Sequence, residues 1–347
     1  FTEHAISTSP GFAGYEFAMS VRAEDVDGDG DMDILSASTE QNKILWYELL
    51  GSPVIEPTYV PDDNFEQALI DLGYDDVLDD YVGTGNISGV AYLDVDDKGI
   101  SDLTGIEGFT AVTDLLIRYN QLTSLNVSNN PALTWLSCDE NQLTVLDVSN
   151  NTALTGLTVN ENQLTAIDVS NNTALEYFVC GNNQLTSLDV SNNTSLYMLD
   201  CTQNQLTTLD LNNIIDLEQL YAPYNQFVSL DLSNNTDLTR IDVYGNQLTS
   251  LDVSNHTGLT SIICGANQLT NLDVSNNIAL TELHCNGNQL TSLDVSNNTA
   301  LINLKSSDNN LDSLDVSANT ALTLMWCHGN QLTSLDVSNN TALIKMK

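Results

Sequence analysis

Residues 143–163 read Leu143-Thr-Val-Leu146-Asp-Val148-Ser-Asn-Asn151-Thr-Ala-Leu154-Thr-Gly-Leu157-Thr-Val159-Asn-Glu-Asn162-Gln, and this stretch decides the fold. It recurs every 21 residues, with units starting at Leu122, Leu143, Leu164, Leu185, Leu206, Phe227, Leu248, Leu269, Leu290, Leu311 and Leu332. Each unit contains two half-repeats, LxxLDVSNN and LxxLxCxxN. Upstream, Ile100–Gln121 is a 22-residue version with Val112, Leu115, Ile117 and Asn120 in register, and Val90-x-x-Leu93-Asp-Val95 is a more divergent half-turn. A single LxxLxL rung cannot bury its apolar face alone, so the rungs must stack. At about 4.8 Å per rung, eleven turns make a rod on the order of 50 Å long. Both half-repeats carry strand-like spacing, which predicts short strands on both sides.

Asparagine is heavily used, at 41 of 347 residues. One per turn lies in a column: Asn120, Asn141, Asn162, Asn183, Asn204, Asn225, Asn246, Asn267, Asn288, Asn309 and Asn330. An inward amide there can satisfy backbone groups left orphaned where the strand bends. The six cysteines, Cys138, Cys180, Cys201, Cys264, Cys285 and Cys327, are separated by multiples of 21. Their column also holds Ile117, Val159, Ala222, Val243 and Ser306, as a small buried slot requires. This favours a reduced ladder over disulfides, and without a CxxC pair zinc is disfavoured further. The Asp column (Asp147, Asp168, Asp189, Asp210, Asp231, Asp252, Asp273, Asp294, Asp315, Asp336, headed by Asn126) reads as a series of Asx-type caps on the Ser-Asn-Asn turn. The competing reading is a cation-binding ladder.

The motif LxxLxCxxNQLTxLDVSNNTA resembles the 21-residue, cysteine-bearing class of bacterial secreted leucine-rich-repeat proteins, including cysteine-ladder members of the internalin family. The resemblance covers about 250 residues of the chain. It implies an extracellular interaction module at the bacterial surface or beyond it, with targeting signals outside this segment. The expected class is mainly β: a leucine-rich-repeat solenoid (100–347) behind a helical N-terminal cap (59–99), a linker (51–58) and a small β fragment (1–50). In the cap, Asp63 is the expected N-cap and Glu66 completes a capping box, with Phe65, Leu69 and Leu72 on one apolar face. The segment resembles N-terminal caps of the same family.

In the first fragment, Asp25, Asp27, Asp29, Asp31 and Asp33 alternate around a Gly turn, and such DxDxDGxxD spacing supplies the hard oxygens that calcium needs. An EF-hand is disfavoured, because its twelfth position is Ser36 and the flanks alternate like strands. The pattern resembles the calcium loop of FG-GAP/VCBS repeats, the blades of β-propellers. The chain opens on Phe1 and stops within a repeat at Lys347, which reads as a segment of something longer.

Function is sought where the repeats differ. The LDVSNN side barely changes from unit to unit, whereas the two outward positions beside the central Leu of the other half change at every turn, so the second side is the candidate recognition face. There, Trp135, Tyr177, Tyr197, Tyr221, Tyr224 and Tyr244 offer aromatic area with polar tips. His284, Lys305, Trp326, His328, Lys345 and Lys347 form a local cationic cluster. No Ser-His-Asp spacing, phosphate loop or HExxH supports an enzyme. The charge is −39, with 8 basic and 47 acidic residues. It excludes nucleic acid and anionic membranes as partners, and no apolar run is long enough to span a bilayer. The expectation is a monomer binding a protein or other macromolecule. The alternatives are a glycan-targeting module of a secreted hydrolase and a plain spacer.

Overall fold

The structure is a computed structural model that describes residues 56–347 and, before them, the backbone of four strands. The chain divides into two compact units, Phe1–Glu56 and Pro57–Lys347. In the first, β1 (Thr2–Thr8), β2 (Val21–Glu24), β3 (Asp33–Ser38) and β4 (Lys43–Glu48) form an antiparallel sheet in the order β1-β4-β3-β2. The expected calcium loop connects β2 to β3. Asp33 opens β3, and Asp25, Asp27, Asp29 and Asp31 lie outside the described residues.

The second unit opens with β5 (Thr58–Tyr59), α1 (Asp63–Asp71), β6 (Tyr81–Val82) and α2 (Thr84–Ile87). Thr58, expected in the linker, pairs with Val82. The N-cap of α1 is Asp62, not Asp63. Asp62 Oδ1 accepts the N–H groups of Asn64 and Phe65 at 3.0 and 3.1 Å. Its Oδ2 accepts Ser101 N–H, Ser101 O–H and Asp102 N–H at 2.8, 2.8 and 3.0 Å. Those donors arrive from 39 and 40 residues away, so tertiary contact selects between two adjacent aspartates. Glu66 completes no capping box. Its buried carboxylate accepts Asp79 and Tyr81 N–H at 2.8 and 3.1 Å. Phe65 and Leu69 are fully buried, with the Phe65 ring 6.3 Å from Phe109, while Leu72 is exposed.

Beyond α2 runs one parallel sheet of thirteen strands in sequence order, β7 (Tyr92–Asp94) to β19 (Lys345–Met346). Between them, β8 (Asp114–Leu116), β9 (Trp135–Ser137), β10 (Gly156–Thr158), β11 (Tyr177–Val179) and β12 (Met198–Asp200) pair rung on rung, Trp135 beside Gly156 and Gly156 beside Tyr177. The middle residue of each rung from β7 to β18 is buried in one continuous core. All strands belong to the LxxLxC half. The expectation of strands on both sides fails, since the LDVSNN half shows only an isolated bridge, Asn126 to Asp147. There each Asp bends the chain by accepting the N–H two residues on, as in Asp147 to Ser149 at 2.9 Å. The next donors close short turns, Asn151 N–H to Val148 O at 3.0 Å and Leu154 N–H to Asn151 O at 3.1 Å. Backbone groups satisfied within a turn are withheld from a ladder.

The inward columns are built from three residue types. The cysteines are free and buried, so the ladder is a row of thiols without disulfides. Burial pushes the Cys285 thiol up to about 12, well away from reactive thiolate. The first asparagine column works as the sequence requires. Asn204 Oδ1 accepts Leu185 N–H at 2.9 Å, and Nδ2 donates to Cys180 O, Cys201 O and Thr202 O at 3.1, 3.2 and 3.3 Å. A second, unforeseen column fills the opposite corner. Asn151 Nδ2 donates to Val127 O and Asn130 O at 3.0 and 2.9 Å, and its successors repeat the pattern. In two turns it is replaced, by Ile214, fully buried, and by His256, buried, with Nε2 3.0 Å from Leu232 O.

The Asp column is the exposed counterpart. Donation from the following serine, through its hydroxyl and its N–H, holds Asp147, Asp168, Asp252, Asp273 and Asp315 below the ordinary carboxyl value. Repulsion between neighbours acts the other way on Asp168 but is the smaller effect. A depressed native value means that these bonds stabilise the fold fully above the unfolded carboxyl value and lose that contribution as pH falls through the native one. Thermal melting should therefore be nearly flat from pH 7 to 5 and decline below about pH 4. Asn126 caps Ser128 N–H at 3.1 Å without a charge. Asp168→Asn, Asp252→Asn and Asp273→Asn together should thus keep the neutral-pH melting point and flatten the acid decline. An unchanged acid limb would refute the assignment.

Candidate functional site

The first and third residues of each sheet strand point out of the core, and the variable stripes of the sequence are these positions. Across β8–β12 they frame an open groove of about 710 Å³, lined among others by Arg118, Trp135, Asp139, Glu140, Tyr177 and Asp200. Trp135 fixes its shape. On the next rung Gly156 has no side chain, and the indole lies over it, so that a Cβ at Gly156 would sit 2.1 Å from the ring. Trp135 thereby reaches Tyr177 two rungs away and stacks on it at 5.5 Å and 29°. Tyr197, just before β12, extends the row, 6.3 Å from Tyr177 and tilted by 52°.

Polar groups line the wall beside the rings. Asp139 Oδ2 accepts the hydroxyls of Ser137 and Thr158 at 3.1 and 2.6 Å, and Oδ1 accepts Asn160 N–H at 2.7 Å. Asp200 accepts Thr202 N–H at 2.8 Å, yet burial raises its carboxyl above the ordinary value. Burial first, then the charges and hydroxyl around it, likewise raises Tyr177. Arg118 is held by Asp96 through Nε at 2.7 Å and an ion pair from its terminal nitrogen.

The other sequence candidates lie apart from this groove and from one another. Tyr221 lies under Arg240, whose guanidinium carbon is 5.5 Å from the ring centre, and its hydroxyl donates to Gln219 at 3.2 Å. Tyr224 and Tyr244 form an edge-to-face pair at 5.4 Å in the turns beyond the strands, Tyr224 in the left-handed region at φ +55°. Toward the C-terminus, β17 (Asn303–Lys305) and β18 (Leu324–Trp326) place Lys305 4.8 Å from the Trp326 ring, and Lys347 lies 5.0 Å from it. His284 belongs to a different group, 3.3 Å from Glu282, and is largely covered. Burial and then Lys305 depress its basicity. His328 lies 3.9 Å from Asp308.

The structure thus joins Trp135, Tyr177 and Tyr197 and leaves Tyr221 and the Tyr224–Tyr244 pair apart. Reading the stripes missed Gly156, Asp139 and Glu140 as parts of a site. A glycine in a stripe of large side chains, next to tryptophan, is the signal that could have revealed the first. Among the described residues one trio of carboxylates lies close enough for an ion, Asp63, Glu66 and Asp80. There Glu66 is already engaged by two backbone N–H groups.

Comparison with known proteins places these features in context. The LVIVD repeat family matches residues 137–156 and 176–201, inside the solenoid. Internalin J of Listeria monocytogenes serotype 4b (strain F2365) is 39% identical over 72 residues, which are 21% of this chain and 8% of that protein. The functional domain of InlJ from Listeria monocytogenes, which includes a cysteine ladder, is 34% identical, with a TM-score of 0.68 over 83% of this chain and 74% of that one. An internalin (inlF) from Listeria monocytogenes str. 4b F2365 shares the fold at 22% identity, with a TM-score of 0.73 over 85% of this chain and 99% of that one.

Gly156→Ala tests the groove. The new methyl must expel the indole, losing an aromatic contact of about 0.5–1.5 kcal/mol. Its stiffer unfolded chain returns about 0.4–1 kcal/mol. Stability should stay within about 1 kcal/mol of wild type by denaturant unfolding. The emission of Trp135, isolated by Trp46→Phe and Trp326→Phe, should shift toward that of a water-exposed indole. Unchanged emission would show that Gly156 does not set the ring's position.

Proposed function

Because the chain belongs to the internalin-like leucine-rich-repeat proteins of the cysteine-ladder class, we propose that it is a non-catalytic module that binds another protein through its variable sheet. Secretion to the bacterial surface, and a role in adhesion, are part of this reading. The observation that carries it is the contrast between the faces. On one, residues repeat because each serves a turn. On the other, register is kept while the outward residues differ from rung to rung and enclose a groove of about 710 Å³. A packing role does not require that diversity, whereas recognition of an irregular partner does. Among the described residues no helix is long and apolar enough to cross a membrane. The α1 region serves as the helical cap: its buried Phe65 and Leu69 join the core of the first turns, where an uncovered solenoid end would expose apolar surface.

The test is a panel of purified extracellular protein domains alongside a glycan array, each probed with wild type, Trp135→Ala/Tyr177→Ala, and Asp189→Asn/Asp231→Asn on the repetitive face. The reading expects a protein ligand whose binding falls at least about tenfold in the first variant and is unaffected in the second. Glycan binding alone would replace it with the glycan-targeting module, and equal loss in both variants would exclude the variable sheet.

For the first unit, a calcium loop at Asp25, Asp27, Asp29, Asp31 and Asp33 is supported by its position between two antiparallel strands of a four-stranded sheet, the size of one propeller blade. Calorimetric titration should show one calcium ion per chain, abolished by Asp27→Asn/Asp29→Asn, with melting of the solenoid unchanged. An absence of binding heat, or binding that survives the double variant, would remove calcium from the account.

A further inference from the structure

At two other outward aromatic rings of the sheet the chain supplies a cation from a nearby rung: Arg240 to Tyr221, Lys305 and Lys347 to Trp326. The groove over β8–β12 breaks this pattern. Three of its rings, Trp135, Tyr177 and Tyr197, pair with one another, and among the described residues no cation lies over them. The one basic side chain in the lining, Arg118, is committed to Asp96. Three carboxylates, Asp139, Glu140 and Asp200, share the same walls.

We propose that this groove receives a lysine or arginine side chain of the partner protein, its alkyl stem against Trp135 and Tyr177 and its charge between Glu140 and Asp200. The proposal rests on the protein-binding reading and names the chemistry of its partner. Ring faces attract cations, more strongly as water is excluded, and a carboxylate already partly desolvated has lost hydration that an incoming cation replaces. Burial is the main reason that Asp200 is raised from its ordinary value, with no nearby cation offsetting it. The charge of −39 adds long-range attraction for a basic partner. A neutral sugar could stack on the rings and donate hydroxyls to the carboxylates, but it brings no charge for them to pair with, so its binding would not weaken with salt. Strand addition is not available on the face of the groove, because neighbouring rungs already pair with each other there.

The experiment uses the full chain with hexa-arginine and hexa-lysine as probes, and hexaglutamate, hexaserine and a neutral hexasaccharide as comparators. Binding is read from Trp135 emission in the Trp46→Phe/Trp326→Phe background at low and at about 0.3 M salt. The basic peptides alone should bind, weakening as salt shortens the screening length from tens of ångströms to below about 10 Å. Glu140→Gln/Asp200→Asn should reduce affinity about tenfold. Asp189→Asn/Asp231→Asn removes the same two charges from the repetitive face and should change it less than about twofold. Equal loss in both variants would show a general field and overturn the site. Salt-independent binding of the hexasaccharide, or none of the basic peptides, would overturn the cationic ligand. If a protein found by the domain panel is lost with Trp135→Ala/Tyr177→Ala but not with Glu140→Gln/Asp200→Asn, protein binding stands and this proposal falls. If the panel yields no protein while the basic peptides behave as expected, the cation-accepting groove stands and the assignment of its ligand to a partner protein falls with the protein-binding reading.

Discussion

Everything in the solenoid depends on satisfying the backbone where each rung bends away from its strand. The bend is dry, because the apolar core lies against it, and buried N–H and C=O groups without partners are costly. One amide per turn resolves this, as Asn204 does by accepting one backbone N–H and donating to three carbonyls, two from its own turn and one from the turn before. That geometry links each turn to its neighbour and fixes the register of the sheet. The residue before each of these asparagines adopts a left-handed backbone, including Tyr119, Glu140, Asn182 and Tyr224, which shows that the same bend is imposed whatever side chain stands there.

The two faces then diverge for a physical reason. On the repetitive face the Asp, Ser and second Asn all serve local turns and buried carbonyls, so substitution there disturbs architecture. On the sheet face the strands hydrogen-bond from rung to rung, and most outward side chains take no part in it, although Asp200 and Asp242 each accept a backbone N–H of the following turn. Recognition can be written into them without altering the fold. Within that freedom the sheet has become chemically uneven, with carboxylates and stacked rings over β8–β12 and lysines around Trp326 at the far end.

The sequence was most legible where a need recurs. The period, the thiol slot, the first asparagine column and the Asp turns were all visible because each position is sampled many times along the chain. It was least legible where two options are equivalent locally. Both half-repeats carry strand spacing, and only the closure of Asp–Ser and Val–Asn turns excludes strands from one of them. Asp62 and Asp63 are equally good caps until Ser101 and Asp102 approach. The second asparagine column was hidden in the Ser-Asn-Asn turn, and the same corner also accepts His256, which keeps a buried contact to Leu232 O, and Ile214, which fills it with apolar volume alone.

Sequence by itself determined that this chain stacks 21-residue turns around a leucine core, with one face constant and one variable. It also placed the aromatic residues on the variable face. Only the tertiary structure decided which of them meet. Trp135 and Tyr177 lie 42 residues apart, and they touch because stacking reduces that separation to two rungs and because Gly156 leaves the intervening rung empty of a side chain. A repeat specifies the spacing of its rungs, but the contact between outward side chains on different rungs depends on what each intervening rung omits.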